Sequence, residues 1–257
     1  MSVNSLFVSY DRRPAGALTA GARDLWQSLA GAPAGFTSAV SAAVSPGSRL
    51  CPPGWAGIVV LDDAALATAP DPDTARILED ALSGVPAASL TDDRILRSRL
   101  PGAEFLGPAA LAYLDPAEFR AWPDGALTTP VDRDDPGFWQ FVLAADAQDV
   151  EESGIGEITT PAFAVRERGQ VVAAAGYRDW PLSTAHLSVL TAPAGRGRGL
   201  ARAAASAAVA HAIQAGRLPQ WRARPQASRR VALSLGFREL GSQVSIRLTA
   251  AVTSHEH

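Results

Sequence analysis

Thr191-Ala-Pro-Ala-Gly-Arg-Gly-Arg-Gly-Leu-Ala201 reads as a tight basic bend that opens a helix. Ahead of it, Ala185-His-Leu-Ser-Val-Leu190 is strand-like. Behind it, residues 200–215 form an Ala-rich run with no Pro or Gly before Gly216, which favours helix. Gly197 and Gly199 let the backbone turn sharply and approach a ligand closely. The first free amides of the helix then point at whatever lies above them, and the helix dipole favours an anion there. Arg196, Arg198 and Arg202 add fixed positive charge, so a pyrophosphate suits the place. No Gly-Lys-Ser/Thr follows, which excludes a P-loop, and the three-glycine dinucleotide fingerprint with its later acid is absent. An ordinary strand-to-helix connection is the other reading of this segment taken alone.

Segments downstream narrow the choice. Arg196-Gly-Arg-Gly-Leu-Ala201 matches the R/Q-x-x-G-x-G/A motif of the GNAT superfamily of acyl-CoA-dependent N-acyltransferases, and Val189-Leu-Thr-Ala-Pro193 resembles its V-x-T-x-P lead-in. Pro219-Gln-Trp-Arg-Ala-Arg224 reads as the next strand. Ala227-Ser-Arg-Arg-Val-Ala-Leu-Ser-Leu-Gly-Phe237 resembles the family's A-S-x-x-V-A-x-x-L-G-F helix and turn, and Val244-Ser-Ile-Arg-Leu248 its closing strand. The resemblance covers residues 127–257. It implies an α/β (α+β) protein: a C-terminal GNAT fold with a mixed central sheet and splayed strands, preceded by a smaller α/β N-terminal domain.

Bulk composition sets the outer limits. At 257 residues, 47% hydrophobic and 19% charged, the chain holds one large domain or two ordinary ones. No apolar run approaches the ~20 residues of a membrane span, and residues 1–10 lack the pattern of a secretory signal, so a cytoplasmic protein is expected. The single cysteine, Cys51, excludes an intrachain disulfide and a cysteine-cluster metal site. Of His186, His211, His255 and His257, only the tail pair has ligand-like spacing; it is read as disordered, and no metal is expected. Residues 1–150 carry 10 Arg against 19 acids, a net of −9, and residues 151–257 carry 13 Arg against 7 acids, a net of +6. A basic half suits a polyanion such as coenzyme A, or an RNA backbone.

Residues 1–125 read as an accessory α/β unit. Helices are expected over 21–29, over 73–82 with Asp73 as cap, and over 91–100 with Thr91 as cap. A strand is expected over 55–61, residues 30–48 have low structural specificity, and 105–114 is a further apolar segment. The pairs Asp62-Asp63, Asp92-Asp93 and Asp134-Asp135 read as turns and helix starts. Trp122-Pro-Asp-Gly125 punctuates the chain and marks the boundary. The acyltransferase domain then spans 126–250, with a disordered tail over 251–257. Its elements are a strand over 127–131, one helix over 138–152 burying Phe141, Val142, Leu143 and Val150, a hairpin over 162–177 turning at 167–170, and the strands and helices already described.

The resemblance also implies the chemistry. An acyl thioester would lie in a splay between strands 185–191 and 218–224, with pantetheine along Val189, Leu190 and Thr191 and its carbonyl polarised by an amide near Leu190. Pyrophosphate would sit on the amides of Arg196, Gly197, Arg198, Gly199, Leu200 and Ala201. The amine attacks directly and needs a proton acceptor. His186 has a suitable ordinary pKa but also reads as a packed core histidine; Glu157 reads as a substrate-facing base or as a solvated acid. Tyr177 and Asp179 end a strand that could line the pocket. Two positions depart from the family pattern: Pro225 replaces a cofactor-contacting Asn, and Ala232 replaces the Tyr that protonates the leaving thiolate. Ser228 is left as a polar contact for the pantetheine arm. Arg222, Arg224, Arg229 and Arg230 crowd the cofactor mouth and suit its 3′-phosphate. The expected function is transfer of an acetyl or other acyl group from acetyl-CoA or another acyl-CoA to a small-molecule primary amine, with no membrane partner. A carrier-protein or tRNA donor, or a non-catalytic acyl-CoA sensor or scaffold, are the rival readings; acceptor and oligomeric state are not legible.

Overall fold

The computed structural model describes residues 16–123 and 127–249. The expected boundary after Gly125, the N-terminal ten residues, and the tail with His255 and His257 lie outside them.

The first described element is α1 (Ala17–Ala30), whose buried face carries Leu18, Ala22, Leu25, Trp26 and Leu29 at helical spacing. An edge strand β1 (Ala42–Val44) follows, then β2 (Ala56–Leu61) and β3 (Ala64–Ala69), joined at Asp62 in a left-handed conformation (φ 54°). Helices α2 (Pro72–Ala81) and α3 (Asp93–Arg99) cover this sheet before β4 (Glu104–Tyr113). The second half holds β5 (Thr129–Val131), α4 (Pro136–Ala144), α5 (Ala147–Ser153), β6 (Ala162–Glu167), β7 (Gln170–Trp180), β8 (Thr184–Thr191), α6 (Leu200–Gln214), β9 (Leu218–Ala223), α7 (Gln226–Ser234) and β10 (Arg238–Arg247).

The mixed α/β architecture expected of the chain is present, and among the described residues the strands form one sheet of ten, ordered β1-β3-β2-β10-β4-β9-β8-β7-β6-β5. That sheet runs straight across the boundary expected from sequence. β10 pairs antiparallel with β2 on one side and β4 on the other, and β4 pairs with β9. The hydrophobic core is correspondingly shared: Leu111 and Tyr113 of β4 pack with Trp26 of α1, Leu218 of β9 and Leu240 of β10.

Local expectations needed several corrections. Asp71, not Asp73, caps α2 by accepting from the Thr74 amide at 2.8 Å, and Asp92, not Thr91, caps α3. Asp73 and Asp93 instead stand in the first turn, where the dipole favours acids; Thr91 is bonded to Ser242 at 2.5 Å. The single helix expected over 138–152 is two, because Asp146 ends one segment and caps the next through the Gln148 amide at 2.8 Å. Within α4 the buried face is Phe138, Phe141 and Val142, at i, i+3 and i+4, and Leu143, expected inside, lies one position further round and is 81% exposed.

Helix α6 explains its own composition. Ala203, Ala204, Ala205, Ala208 and Ala212 are buried against Ala173, Ala175 and Ala185 of β7 and β8, and small side chains on both surfaces bring helix and sheet close together.

Candidate active site

Helix α6 begins at Gly199, whose φ of 80° no other residue type adopts easily, and no side chain caps its first amides. The donors left over at that helix start are the kind an anion satisfies. They open onto a cavity of about 510 Å³. Above Gly197, also left-handed at φ 74°, nothing lies within 4 Å of where a side chain would begin.

The far end of the cavity is made by two strands that part. β8 and β9 are parallel partners only at Thr184↔Leu218, Ala185↔Pro219 and His186↔Gln220. Beyond that vertex each keeps its outer neighbour instead. β8 stays with β7 as far as Ala173↔Thr191, and β9 stays with β4 through Leu111↔Arg222 and Ala110↔Ala223. The edges of β8 and β9 that face each other are thereby left without strand partners, and unsatisfied strand edges are where an extended ligand binds. The wall holding β9 away from β8 is a strand of the N-terminal half.

Val189, Leu190, Thr191, Arg196, Gly197, Gly199, Leu200, Ala201 and Ser228 all line this cavity. Arg198 does not; its guanidinium is turned to Glu167 of β6, at 2.5 and 3.0 Å. The buried Thr191 hydroxyl has no partner among the described residues, an orphan that an amide of an extended ligand would satisfy. The Ser228 hydroxyl accepts from Trp221 Nε1 at 3.0 Å and retains its own hydrogen to donate. Pro225 lies on the rim, and Ala232, 1% exposed, is sealed in the core, so neither supplies the polar group familiar in the family.

The two expected proton acceptors stand outside the cavity lining. His186 sits at the vertex, stacked on Trp180 with centroids 4.0 Å apart and planes 8° apart, its Nδ1 bonded to Gln220 Oε1. Burial, reinforced by Arg222 and only partly opposed by the Gln220 bond, pushes its pKa down to about 3, so it is neutral. Glu157 is well exposed and ion-paired to Arg178 at 2.5 Å. Of the other candidates, Tyr177 is buried and bonded to His211 Nδ1 at 3.0 Å, and Asp179 pairs with Arg217.

Three contributors carried no sequence signal. Asp149 and Glu152 of α5 line the cavity and hold arginines on opposite lips, Asp149 with Arg196 at 2.5 Å and Glu152 with Arg224. Their spacing places them on one helix face, but only the fold shows which face. Trp122, read as punctuation, lies against Gly199 and donates its amide to Ser206 Oγ at 2.8 Å, with Arg202 stacked over its ring at 5.4 Å. Arg229, expected at the cofactor mouth, pairs with Glu239 at 2.6 Å.

Comparison with known proteins agrees with this geometry. Residues 145–242 match the family model described as GNAT acetyltransferase. Every residue that lines the cavity lies within that matched stretch. Similar solved structures include a GCN5-related N-acetyltransferase-like protein from Streptococcus suis 89/1591 (19% identity, 89% of this chain and 98% of that one, TM-score 0.47). An acetyltransferase of the GNAT family from Colwellia psychrerythraea is 17% identical over 57% of each chain, TM-score 0.44. A Salmonella typhimurium protein solved with its cofactor acetyl-CoA is 21% identical over 46% of this chain and 91% of that one, TM-score 0.35. No curated protein matches the chain. Among the described residues no helix is long and apolar enough to cross a membrane, and no group of three or more His, Cys, Asp or Glu is placed to hold a metal ion.

Proposed function

We propose that this protein transfers an acetyl group from acetyl-CoA to a primary amine by direct attack. The observation that carries the reading is the parting of β8 and β9 beyond His186 and Gln220, around a cavity that ends at the uncapped start of α6. An extended thioester fits between two unpartnered strand edges, and its diphosphate fits the amides at Arg196–Ala201. Thr191 and Ser228 offer hydroxyls to the pantetheine arm.

The amine nitrogen forms its bond to the thioester carbonyl carbon, the carbon–sulfur bond breaks, and coenzyme A leaves as thiolate. The carbonyl oxygen gains charge during attack and is stabilised by a backbone amide of β8 near Leu190. The proton released from nitrogen goes to a carboxylate. Glu152 is assigned that role because it lines the cavity, with Glu157 bordering the same sheet face. His186 is held neutral outside the cavity lining and takes no part in that transfer.

A thiol-release assay with acetyl-CoA and a broad amine panel tests the reading. Coenzyme A release that depends on an added amine supports it. Tight acetyl-CoA binding with no release across the panel makes the protein a sensor, and absence of acetyl-CoA binding removes the reading altogether.

A further inference from the structure

β9 alternates its side chains between two faces of the sheet. Trp221 and Ala223 pack with α6 and α7, whereas Gln220 turns the other way, to His186, as does Arg222 by the same alternation; Arg224, just past the end of the strand, is held by Glu152 of α5. Arg178 is the cross-strand partner of His186 on β7, so it shares that face. Three arginines therefore gather beside the cleft on the side opposite α6, from the vertex outward along β9.

Two glutamates face them. Glu157 is taken by Arg178 at 2.5 Å, and Glu152 by Arg224, with Arg224 Nε at 2.5 Å. Arg222 lines the cavity and makes no ion pair or hydrogen bond among the described residues. It feels both Glu152 and Glu157 as attractive charges and Arg224 as a repulsive one. The cluster thus carries one uncompensated positive charge, fixed on a strand, with a carboxylate on either side. Arg222 is exposed where it lines the cavity, so its guanidinium is solvated and can exchange that water for an anion held by two parallel hydrogen bonds. The side chain lies on the face away from α6, whose N-terminus suits the diphosphate; were the 3′-phosphate expected beside Arg222 to fill its place, CoA-saturated protein would show no preference for a further anion.

We propose that the acceptor is itself anionic: an amine whose molecule also carries a carboxylate or a phosphate, which Arg222 binds while the nitrogen faces Glu152. The alternation of charge in the site matches a zwitterion, and guanidinium binds either oxyanion with two parallel hydrogen bonds. This rests on the transferase reading and adds the class of acceptor to it.

The test titrates CoA-saturated protein by NMR with matched product analogues, one anionic and one neutral in each pair. N-acetylglycine is compared with N-acetylglycinamide, and N-acetyl-O-phosphoethanolamine with N-acetylethanolamine. At least one anion is expected to bind about tenfold or more tighter than its neutral partner, as charge-assisted hydrogen bonds require. The pair showing the larger ratio identifies carboxylate or phosphate. In Arg222→Gln the ratio falls to near one. A ratio near one in the wild type, binding of neither anion, or a ratio that survives Arg222→Gln overturns the proposal. Coenzyme A affinity, measured on the same samples, reports separately on the transferase reading and on the folding of the variant.

Discussion

The indole of Trp122 rests on Gly199: a side-chain carbon placed at Gly199 would meet the ring's Cη2 at 3.0 Å. The segment that joins the two halves of the chain is thus packed onto the glycine bend that opens α6. The space above Gly197, two residues earlier, is open.

That contrast separates two glycines that look equivalent in sequence. Gly199→Ala is expected to lower Tm by several degrees, because the methyl strains a left-handed residue and displaces an indole. Trp122→Ala in the same chain should recover part of that loss, a non-additive pair. Gly197→Ala carries only the backbone cost of about 1 kcal/mol, yet should weaken acetyl-CoA binding by about tenfold or more by placing a methyl where phosphate oxygens go. Thermal melts and isothermal titration on the three variants check both outcomes.

Arg196 and Arg198 should also part company. Arg196 lines the cavity and is held by Asp149 in a half-exposed ion pair, which is worth little and is readily exchanged for a phosphate. Arg196→Gln is expected to weaken acetyl-CoA binding about tenfold, and Arg198→Gln, which only releases Glu167, by less than about twofold. Equal losses would show that Arg198 swings into the cavity when ligand arrives.

His186 gives the fold a pH dependence of definite sign. Its pKa is depressed from 6.5 to about 3, so the unfolded chain binds the proton first. Its contribution to stability is therefore complete above pH 6.5 and is lost as pH falls towards 3. Urea unfolding at pH 7.5 and pH 5 should show wild type losing more stability than His186→Gln. If the two lose equally, the histidine is not held neutral. The same variant should leave no missing limb near pH 6.5 in the pH–rate profile of transfer, because His186 does not titrate there.

Removal of residues 1–125 should abolish folding rather than merely alter specificity. β4 fills the gap between β9 and β10, and without it both lose a neighbour and Leu240 loses its packing against Leu111 and Tyr113. The expected outcome is a truncated chain with no cooperative unfolding transition by circular dichroism; a soluble, cooperatively folded fragment that binds acetyl-CoA contradicts it.

The parts of the molecule legible in sequence were those set by local rules. The bend at 195–199, helix α6, the Gly169 hairpin and the L-G-F turn all announce themselves through glycine placement and unbroken propensity. β3 did not, because Ala64–Ala69 is composed largely of alanine, which favours helix over strand, and only cross-strand burial makes it a strand. The single sheet was equally hidden: β4 meets β9 and β10 more than a hundred residues away, and no local pattern encodes such a pairing. In the site, the cavity-lining residues between 189 and 201 were legible because they belong to one contiguous motif. Glu152, Asp149 and Trp122 were missed because each arrives from a different element, and the exposed, paired state of Glu157 depends on where Arg178 falls on β7.

A crystal structure of the protein with acetyl-CoA tests the central claim most directly. The expected result is a thioester lying between β8 and β9 beside Leu190, with the diphosphate on the amides of residues 196–201 and the Asp149–Arg196 pair opened. A thioester bound elsewhere, or β8 and β9 zipped together past His186 and Gln220 with the ligand excluded, would contradict it.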